Sequence, residues 1–433
     1  MSENELRRVE VLGRVQRGEM NLTEAAAVLE LGYRQTKRLW SRFRRAGPSG
    51  LVHGNAGRRS NRAKPAALRR QIVGLIQSHY GGEQGPPFGP TLAAEHLHSE
   101  HGLTVHPETL RRWMRAEGLW PRQRQRAPHR RRRERKAHFG ELLQLDGSHH
   151  HWLEQRGPQG CLMNLVDDAS GVSLGCFHPQ ETTWAAADVL ERWVRRYGIP
   201  QALYTDWKNV YLRQPTAREQ LQGIVPRTQF GGMCEKLGIR IVPASSPQAK
   251  GRVERHHGTH QDRLVKKLRR AGVADYQAAN RFLDAGYFQQ HNRRFAQAPA
   301  AEADFHRVLP RGLDLRWVFC LEEPRTVGRD TVVRYHNRWL QLELKRRSPV
   351  AAGGQVLVQQ ARDGELRLLA QGQRLSFREI APPAPRGKVP AATAPLAHRR
   401  PRRGHTPAPD HPWRKPVLPM RPPAAEATMA AGD

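Results

Sequence analysis

Glu141-Leu142-Leu143-Gln144-Leu145-Asp146-Gly147-Ser148 decides the fold: an apolar run typical of a buried strand ends at Asp146. A second apolar run, Ala202-Leu203-Tyr204-Thr205, ends at Asp206 in the same way. A third acid, Glu254, lies in Ser246–His257, near the start of a predicted helix. Two acids at strand ends and one on a helix can converge, and converging carboxylates repel one another unless a cation joins them. The sequence therefore predicts a site for hard divalent cations, which prefer oxygen ligands.

The composition indicates a polyanionic partner. The chain has 433 residues and a formal net charge of +32, and only 38% of its residues are hydrophobic. Such a length exceeds one typical core, so two or three folded units are expected. So strong a basic balance favours nucleic acid as the partner. The alternative is a ribosome-type protein that uses its charge only for packing.

Cysteine usage and hydropathy exclude several other classes. The four cysteines form no CxxC pair, so neither a disulfide framework nor a cysteine zinc knuckle is predicted, and a reducing compartment is expected. The first residues lack a signal-peptide pattern, and no apolar run approaches the length of a membrane span. We therefore expect a cytoplasmic protein with no membrane partner.

Residues 1–46 predict an all-α helix-turn-helix domain of three helices, the third after Gly32. The alternative is a small basic helical bundle. One face of the third helix is polar and basic, which suits insertion into a major groove. The candidate DNA-binding residues on it are Arg34, Gln35, Lys37, Arg38 and Arg42.

A second helical unit follows a linker. Residues 47–65 are rich in Gly, Pro and Arg, which predicts an extended segment that follows a DNA backbone or is only a flexible linker. Residues 66–120 predict a second domain resembling a helix-turn-helix, with Arg111 and Arg112 as candidate DNA contacts. Residues 121–137 form an Arg-rich linker, in which Arg131 and Arg132 are candidates for generic phosphate contacts.

From residue 138 to residue 300 the order of strands and helices indicates an α/β core. The turn Asp167-Asp168-Ala169-Ser170-Gly171 joins two of its strands, and we interpret both of its acids as structural. Residues 310–380 alternate apolar and polar, which predicts a small β-barrel that binds DNA or contacts a neighbouring subunit. Residues 381–433 have no periodicity and predict a disordered tail.

The motifs around the three acids resemble those of the DDE transposases and retroviral integrases, and within them the bacterial insertion-sequence transposases of the ISNCY group. The segments that carry the resemblance are Gln144-x-Asp146-Gly147-Ser148, Tyr204-Thr205-Asp206 and Ser246–Leu264. The resemblance implies a multidomain protein with a central ribonuclease-H-like integrase core. It also implies that Asp146, Asp206 and Glu254 are catalytic and hold two Mg²⁺ ions, with Mn²⁺ as a substitute.

By the same resemblance the protein is a transposase. It would bind the terminal inverted repeats of an insertion sequence, cleave their 3′ ends and join them to target DNA. Its partner is double-stranded DNA, both element ends and target, on which a homodimer or homotetramer is expected. A bacterial cytoplasmic location, nucleoid-associated when DNA is bound, follows. The alternatives are a ribonuclease-H-fold nuclease without joining activity and a non-catalytic DNA-binding regulator.

Two features depart from the family pattern. The interval from Asp206 to Glu254 is 48 residues, which is long, so residues 209–235 are expected to be an insertion. The alternative acid Glu235 falls at the end of a predicted helix and is not favoured. The second departure is His256-His257, which stands where an uncharged or amide residue is expected.

Other side chains near the acids are candidates for lesser roles. Lys250 and Arg252 flank Glu254 and are candidates for phosphate binding, with solvated surface charge as the alternative. A zinc site at His149-His150-His151 is not favoured, because adjacent residues of an extended chain point in alternating directions.

Overall fold

A computed structural model describes most of the chain, which divides into two compact units, Met1–Leu313 and Asp314–Asp433. The described residues are 1–57, 63–82, 85–121, 133–224, 226–244, 250–343, 348–382, 408 and 411. The candidate DNA contacts Arg131 and Arg132, and nearly all of the predicted tail, lie outside them. None of the described helices is long and apolar enough to cross a membrane.

Three helices fold at the N-terminus as predicted. They are α1 (Glu3–Gln16), α2 (Leu22–Val28) and α3 (Tyr33–Ala46). Capping boxes formed by Ser2 with Glu5 and by Asn21 with Glu24 start the first two helices. The predicted extended linker from residue 47 is wrong at its beginning. Gly47–Leu51 is a 3₁₀ turn whose Leu51 is buried in the core of this domain, because an apolar side chain there completes the packing of Leu12, Leu39 and Phe43.

The second helical group also matches the prediction. Its helices are α4 (Ala66–Leu75), α5 (Pro90–His101) and α6 (Pro107–Ala116). A π-helical turn, Ile76–Tyr80, extends the first of them. Gly102 ends α5 with φ +66°, a left-handed conformation that glycine adopts without strain. The group packs on its own core, which includes Leu92, Leu97 and Leu110.

A mixed five-stranded sheet forms the centre of the first unit. Its strands are β1 (Leu143–His150), β2 (Gly160–Asp167), β3 (Ser173–His178), β4 (Ala202–Thr205) and β5 (Arg240–Pro243), and their order is β3-β2-β1-β4-β5. The first three strands pair antiparallel, whereas β4 is parallel to β1 and β5 to β4. The α/β order read from the sequence is confirmed, and the arrangement is the one that a ribonuclease-H-like core implies.

Asp146 does not end a strand, contrary to the sequence interpretation. Strand β1 continues to His150, because β2 goes on pairing with it antiparallel as far as Gly160. Asp146 therefore lies in the middle of β1, opposite Asn164. Asp206, in contrast, follows the last residue of β4, as predicted.

Part of the segment between Asp206 and Glu254 packs into the core of the first unit. It contains α8 (Ala217–Leu221) and α9 (Gln229–Lys236), which follow α7 (Thr183–Tyr197). Phe230, Met233 and Cys234 of α9 are buried. Helix α9 therefore packs its apolar face into the core, while the expectation that residues 209–235 are an insertion relative to the family stays a prediction. Glu235 is exposed at the end of α9 and pairs with Arg227, in line with the low weight given to it.

Three further helices complete the first unit: α10 (Gly251–Arg270), α11 (Tyr276–Phe282) and α12 (Phe288–Phe295). The longest, α10, buries Val253, Leu264 and Leu268. In its C-terminal half, Arg263 forms an ion pair with Glu95 of α5, and Arg270 forms one with Glu100 of the same helix. Ion pairs thus connect the second helical group to α10.

The second unit contains two antiparallel sheets. After α13 (Leu315–Val318) come β6 (Leu321–Thr326), β7 (Val332–Tyr335), β8 (Arg338–Leu342), β9 (Gln355–Gln360), β10 (Leu366–Ala370), β11 (Gln373–Leu375) and β12 (Phe377–Ile380). Their orders are β11-β10-β9-β6 and β12-β8-β7. The predicted small β-barrel is wrong for the described residues, in which the two sheets do not close into one. They share a single apolar core instead, with Val333 and Leu340 from one sheet and Val358 and Leu368 from the other.

Candidate active site

Asp146 lies on β1, and Asp206 directly follows the neighbouring parallel strand β4. The register pairs Gln144 of β1 with Tyr204 of β4, and each acid stands two positions further along. Side chains two residues apart on a strand point to the same side of the sheet. The two carboxylates predicted from the sequence are therefore brought together.

Lys208 and Glu181 extend this pair. The Nζ atom of Lys208 lies 3.1 Å from Oδ2 of Asp206 and 2.5 Å from Oε2 of Glu181. The hydroxyl of Tyr211 donates to Oε1 of Glu181 at 2.7 Å. Burial acts to lower the pKa of Lys208, but the hydrogen bonds to Glu181 and Asp206 and the charges of these two carboxylates together outweigh it and raise that pKa, so the ammonium stays charged.

Glu181 is a site residue that the sequence reasoning missed. It lies between the end of β3 and Thr182, the N-cap of α7. A Cβ atom built on Gly147 would stand 2.6 Å from Oε2 of Glu181, so the glycine that follows Asp146 leaves room for this carboxylate. Asp206 directly follows its strand, whereas Pro179 and Gln180 separate Glu181 from the end of β3, so the signal that found Asp206 was absent at Glu181.

Lys250 is directed inward and contacts Asp146. Its Nζ atom lies 2.8 Å from Oδ1 of Asp146, and the residue is 5% exposed. The Nδ1 atom of His257 lies 3.8 Å from the other oxygen, Oδ2. Burial lowers the pKa of His257 to about 4, so this imidazole is neutral at pH 7. The structure therefore gives Lys250 a contact with the acid itself, where the sequence predicted one with DNA phosphate.

The carboxylates fit a hard cation. Among the described residues, Oδ1 of Asp206 is buried and has no hydrogen-bond partner. Burial removes water from a carboxylate oxygen, and without a hydrogen-bond partner the cost in free energy is not compensated. A bound cation would compensate it. Asp146 and Asp206 present oxygen ligands of the kind that Mg²⁺ prefers.

Glu254 is not brought into this cluster. It lies in the first turn of α10, is exposed, and forms no hydrogen bond or ion pair with any described residue. Its neighbour Val253 is buried and donates its backbone N–H to Oε1 of Gln144 at 3.1 Å. Residues 245–249, which precede this helix, lie outside the described part of the chain.

A buried carboxylate, Asp168, fixes α10 to the sheet. Its Oδ1 accepts from Gln144 Nε2 and from Arg252 Nη1, both at 2.7 Å, and its Oδ2 accepts from the backbone N–H of Lys136 at 2.8 Å. Arg252 is therefore held inside the protein by this buried charge, which corrects its prediction as a phosphate ligand on the surface. Asp167 is structural as predicted, since its carboxylate accepts from Ser170 and from the N–H of Gly140.

The helix-turn-helix candidates divide into free and engaged side chains. Arg34, Gln35, Lys37 and Arg38 are exposed on α3. Arg42, also a candidate DNA contact, instead donates to the carbonyls of Gly50 at 2.8 Å and Val52 at 3.3 Å, so its guanidinium holds the 3₁₀ turn. On α6, Arg111 pairs with Glu108, whereas Arg112 is exposed.

The triplet His149-His150-His151 has neighbours from distant segments that the sequence could not reveal. His149 faces Cys161 across β1 and β2, and one ligand atom each of His149, Cys161 and Glu181 lies within 4.8 Å of the others. Burial raises the pKa of Cys161 to about 12, so its thiol stays protonated and is a poor metal ligand at neutral pH. The absence of a zinc site at this triplet stays a prediction.

Comparison with known proteins places these features in a family. A helix-turn-helix domain model matches residues 7–62. The putative transposase y4bF of Sinorhizobium fredii (strain NBRC 101917 / NGR234) is 37% identical over 380 residues, covering 87% of this chain and 81% of that protein. The transposase for insertion sequence IS1202 of Streptococcus pneumoniae is 27% identical over 403 residues, covering 84% of each chain.

Solved structures also match parts of the chain. The HTLV-2 integrase catalytic core domain in complex with magnesium, in its dimeric form, has 19% identity and a TM-score of 0.25, and the match covers 34% of this chain and 84% of that one. A simian T-cell lymphotropic virus intasome has 16% identity and a TM-score of 0.29, with 66% and 98% covered.

A helix-turn-helix domain followed by an α/β core with carboxylates at two adjacent strands defines a DNA-binding, nucleic-acid-processing enzyme. The extent of the match to y4bF shows more: this chain belongs to the transposase family. The recognition of a DDE transposase from the sequence is confirmed at that level, while the ISNCY assignment stays a prediction.

Proposed function

We propose that this transposase binds the terminal inverted repeats of its own insertion sequence, cleaves their 3′ ends and joins those ends to target DNA in the presence of Mg²⁺. The observation that carries the proposal is the pair formed by Asp146 on β1 and Asp206 directly after the adjacent parallel strand β4, with Oδ1 of Asp206 buried and unpaired among the described residues. Membership of the transposase family supports the reaction type.

Asp146, Asp206 and Glu254 would hold the metal, as the motif resemblance implies. Bound there, divalent ions lower the pKa of an attacking water or 3′-hydroxyl and neutralise charge on the leaving oxygen. We propose that the site holds two Mg²⁺ ions, for which Mn²⁺ could substitute. The fit is direct for the two aspartates. For Glu254 it requires the exposed first turn of α10 to bring its carboxylate toward β1.

The protein's own residues position this centre. Gln144 accepts from the N–H of Val253 and donates to Asp168, and so ties the start of α10 to the strand that carries Asp146. Lys208 holds the carboxylate of Asp206 from the side of Glu181. Lys250 would leave Asp146 for a DNA phosphate when a metal takes its place, because both cations compete for the same oxygen.

DNA recognition is assigned to the exposed side chains of α3. Arg34, Gln35, Lys37 and Arg38 would read the repeat ends, and Arg112 of α6 would contact a second segment. Two ends must be joined in coordination, so we propose a homodimer or homotetramer assembled on DNA.

The test uses labelled inverted-repeat ends cut from the DNA that flanks the coding region. Asp146→Asn, Asp206→Asn and Glu254→Gln should each abolish 3′ cleavage and joining while leaving binding of the ends intact. Glu235→Gln, an exposed glutamate on α9, is the matched control and should keep full activity. Retained joining in any of the three variants would overturn the assignment of that residue.

The products separate this function from its alternatives. A covalent branch between donor and target strands indicates a transposase. Cleavage without branches would indicate a nuclease of the same fold. Binding of the ends without any cleavage, in either Mg²⁺ or Mn²⁺, would indicate a regulator.

A further inference from the structure

Three histidines lie together on the side of α10 that faces α12. His256 and His260 are one helical turn apart on α10, and His291 comes from α12. One nitrogen from each imidazole lies within 4.8 Å of the other two. Residues four apart on a helix share a face, so the local fold aims all three rings at one point.

The spacing of these nitrogens already approaches that of a metal site. The Nε2 atom of His291 and the Nδ1 atom of His256 are 3.2 Å apart. Tetrahedral zinc with Zn–N bonds of about 2.0–2.1 Å places its ligand nitrogens about 3.4 Å from one another. Only the third nitrogen needs to move inward.

His260 supplies the second, independent observation. It is completely buried, and its Nε2 atom has no hydrogen-bond partner among the described residues. Its Nδ1 atom lies 2.8 Å from the hydroxyl of Tyr287. When Nδ1–H donates to that hydroxyl, Nε2 keeps a free lone pair, as in metal-binding histidines, which commonly donate their other ring N–H to a neighbouring group.

The protonation state and the surroundings also fit. Burial lowers the pKa of His291 to about 3 and holds that of His260 well below its usual value, so both rings are neutral, the form that binds a metal. A cavity of about 120 Å³, lined by His256 and His291, gives access from outside. Arg135, Arg252 and Arg255 also line it, so a bound dication would need an anionic fourth ligand such as hydroxide to offset their charge.

We propose that His256, His260 and His291 bind one zinc-class cation that joins α10 to α12. Imidazole nitrogens select borderline metals such as Zn²⁺ over Mg²⁺, so this site is chemically distinct from the carboxylates of Asp146 and Asp206. The cation would hold the second and third turns of α10, which follow the turn that carries Glu254, against α12. The site would therefore be structural, and its metal binding can be measured apart from the proposed DNA chemistry.

Metal binding by the full-length protein tests this proposal. The protein is stripped with a chelator and titrated with Co²⁺, whose visible absorption reports tetrahedral coordination, and then with Zn²⁺ in competition. One Co²⁺ per chain should bind with a tetrahedral spectrum and be displaced by Zn²⁺, and Zn²⁺ should raise the midpoint of thermal unfolding.

Substitutions assign the ligands. His260→Gln and His291→Gln should each weaken binding by about a hundredfold or more, since even groups that only orient a ligand are worth about 10–100-fold. His256 is only half-buried, so His256→Gln should fold even if one of the other two variants does not, and it still removes a ligand. His98→Gln, at an exposed histidine of α5, is the control and should bind like the wild type. Equal Co²⁺ affinity of the wild type and His256→Gln, or no tetrahedral spectrum in the wild type, would overturn the proposal and leave three neutral core histidines.

Discussion

The Nζ atom of Lys250 lies 2.8 Å from Oδ1 of Asp146, so an ammonium predicted to hold phosphates is also the counterion of a predicted metal ligand. Both groups are largely buried, and a charge-assisted hydrogen bond in such surroundings is strong. Binding of a divalent cation at Asp146 must break this contact.

Lys250→Met should therefore tighten Mg²⁺ binding to the protein in the absence of DNA. A hydrogen bond to a charged group is worth ~1.5–3 kcal/mol, so we expect about a tenfold lower dissociation constant by calorimetry. Strand joining by the same variant should fall, because its phosphate contact is lost. Lys64→Met, at an exposed lysine, should change neither quantity, and an unchanged Mg²⁺ affinity in Lys250→Met would show that the contact does not compete with metal.

Gly147→Ala should disturb the site through Glu181. The new Cβ atom would stand 2.6 Å from Oε2 of that carboxylate and displace it from Lys208. Overpacking of this kind typically costs ~1–3 kcal/mol of stability, measurable by urea unfolding, and should also reduce joining. Gly74→Ala, where nothing lies within 4 Å of the added carbon, should instead stabilise its helix by up to ~1 kcal/mol.

A double-mutant cycle tests the route of that effect. If Gly147 acts on joining mainly by leaving room for Glu181, then Gly147→Ala should have a smaller further effect on activity in a Glu181→Ala background, where only the 2.8 Å approach of the new Cβ to Sγ of Cys161 remains. Simple additivity of the two losses would contradict this coupling.

Glu100 should make stability depend on pH. Burial acts to raise its pKa, but hydrogen bonds from Arg270, His96 and Tyr80 outweigh it and lower the pKa to about 2. Because the folded-state pKa is depressed, the stabilisation is complete above the ordinary glutamate pKa of 4.5 and is lost as the pH falls toward 2. The wild type should thus be more stable than Glu100→Gln at pH 7, and the difference in unfolding free energy should shrink below pH 4.5. Glu10→Gln, at an exposed glutamate, should show no such trend, and a difference for Glu100→Gln that is constant with pH would contradict the assignment.

Arg38 and Arg42 should behave differently although they are one helical turn apart. Arg38→Ala should weaken DNA binding and reduce the slope of log affinity against log salt by about 1, as loss of a phosphate contact does. Arg42→Ala should mainly lower the thermal stability of the first helical domain, because its guanidinium holds the carbonyls of Gly50 and Val52. If both variants lost the same DNA affinity and Arg42→Ala kept the stability of the wild type, the different roles assigned to Arg38 and Arg42 would be contradicted.

The helices were predictable because their signals are local. Ser2 with Glu5, Asn21 with Glu24, and Gly102 each act within a few residues of the helix end that they define. Strand β4 was found with its exact bounds because its apolar run is short and ends at Asp206.

What could not be predicted depends on contacts between distant segments. Glu181 meets Lys208 and Gly147 only once β1, β3 and β4 are assembled, and Cys161 faces His149 only through the register of β1 and β2. The C-terminal strands were recognised individually, but alternation alone does not say whether they close into a barrel or divide into two sheets.

Replacement of Asp206 by cysteine tests most directly whether the carboxylate pair is the metal centre for DNA joining. The measurement is the yield of branched product from a pre-cut inverted-repeat end, in Mg²⁺ and then in Mn²⁺. Loss of a metal ligand is worth several kcal/mol in the transition state, so Asp206→Cys in Mg²⁺ should join about a thousandfold more slowly than the wild type. Mn²⁺, which accepts a sulfur ligand more readily than Mg²⁺, should restore part of this activity. Undiminished joining by Asp206→Cys in Mg²⁺ would contradict the account.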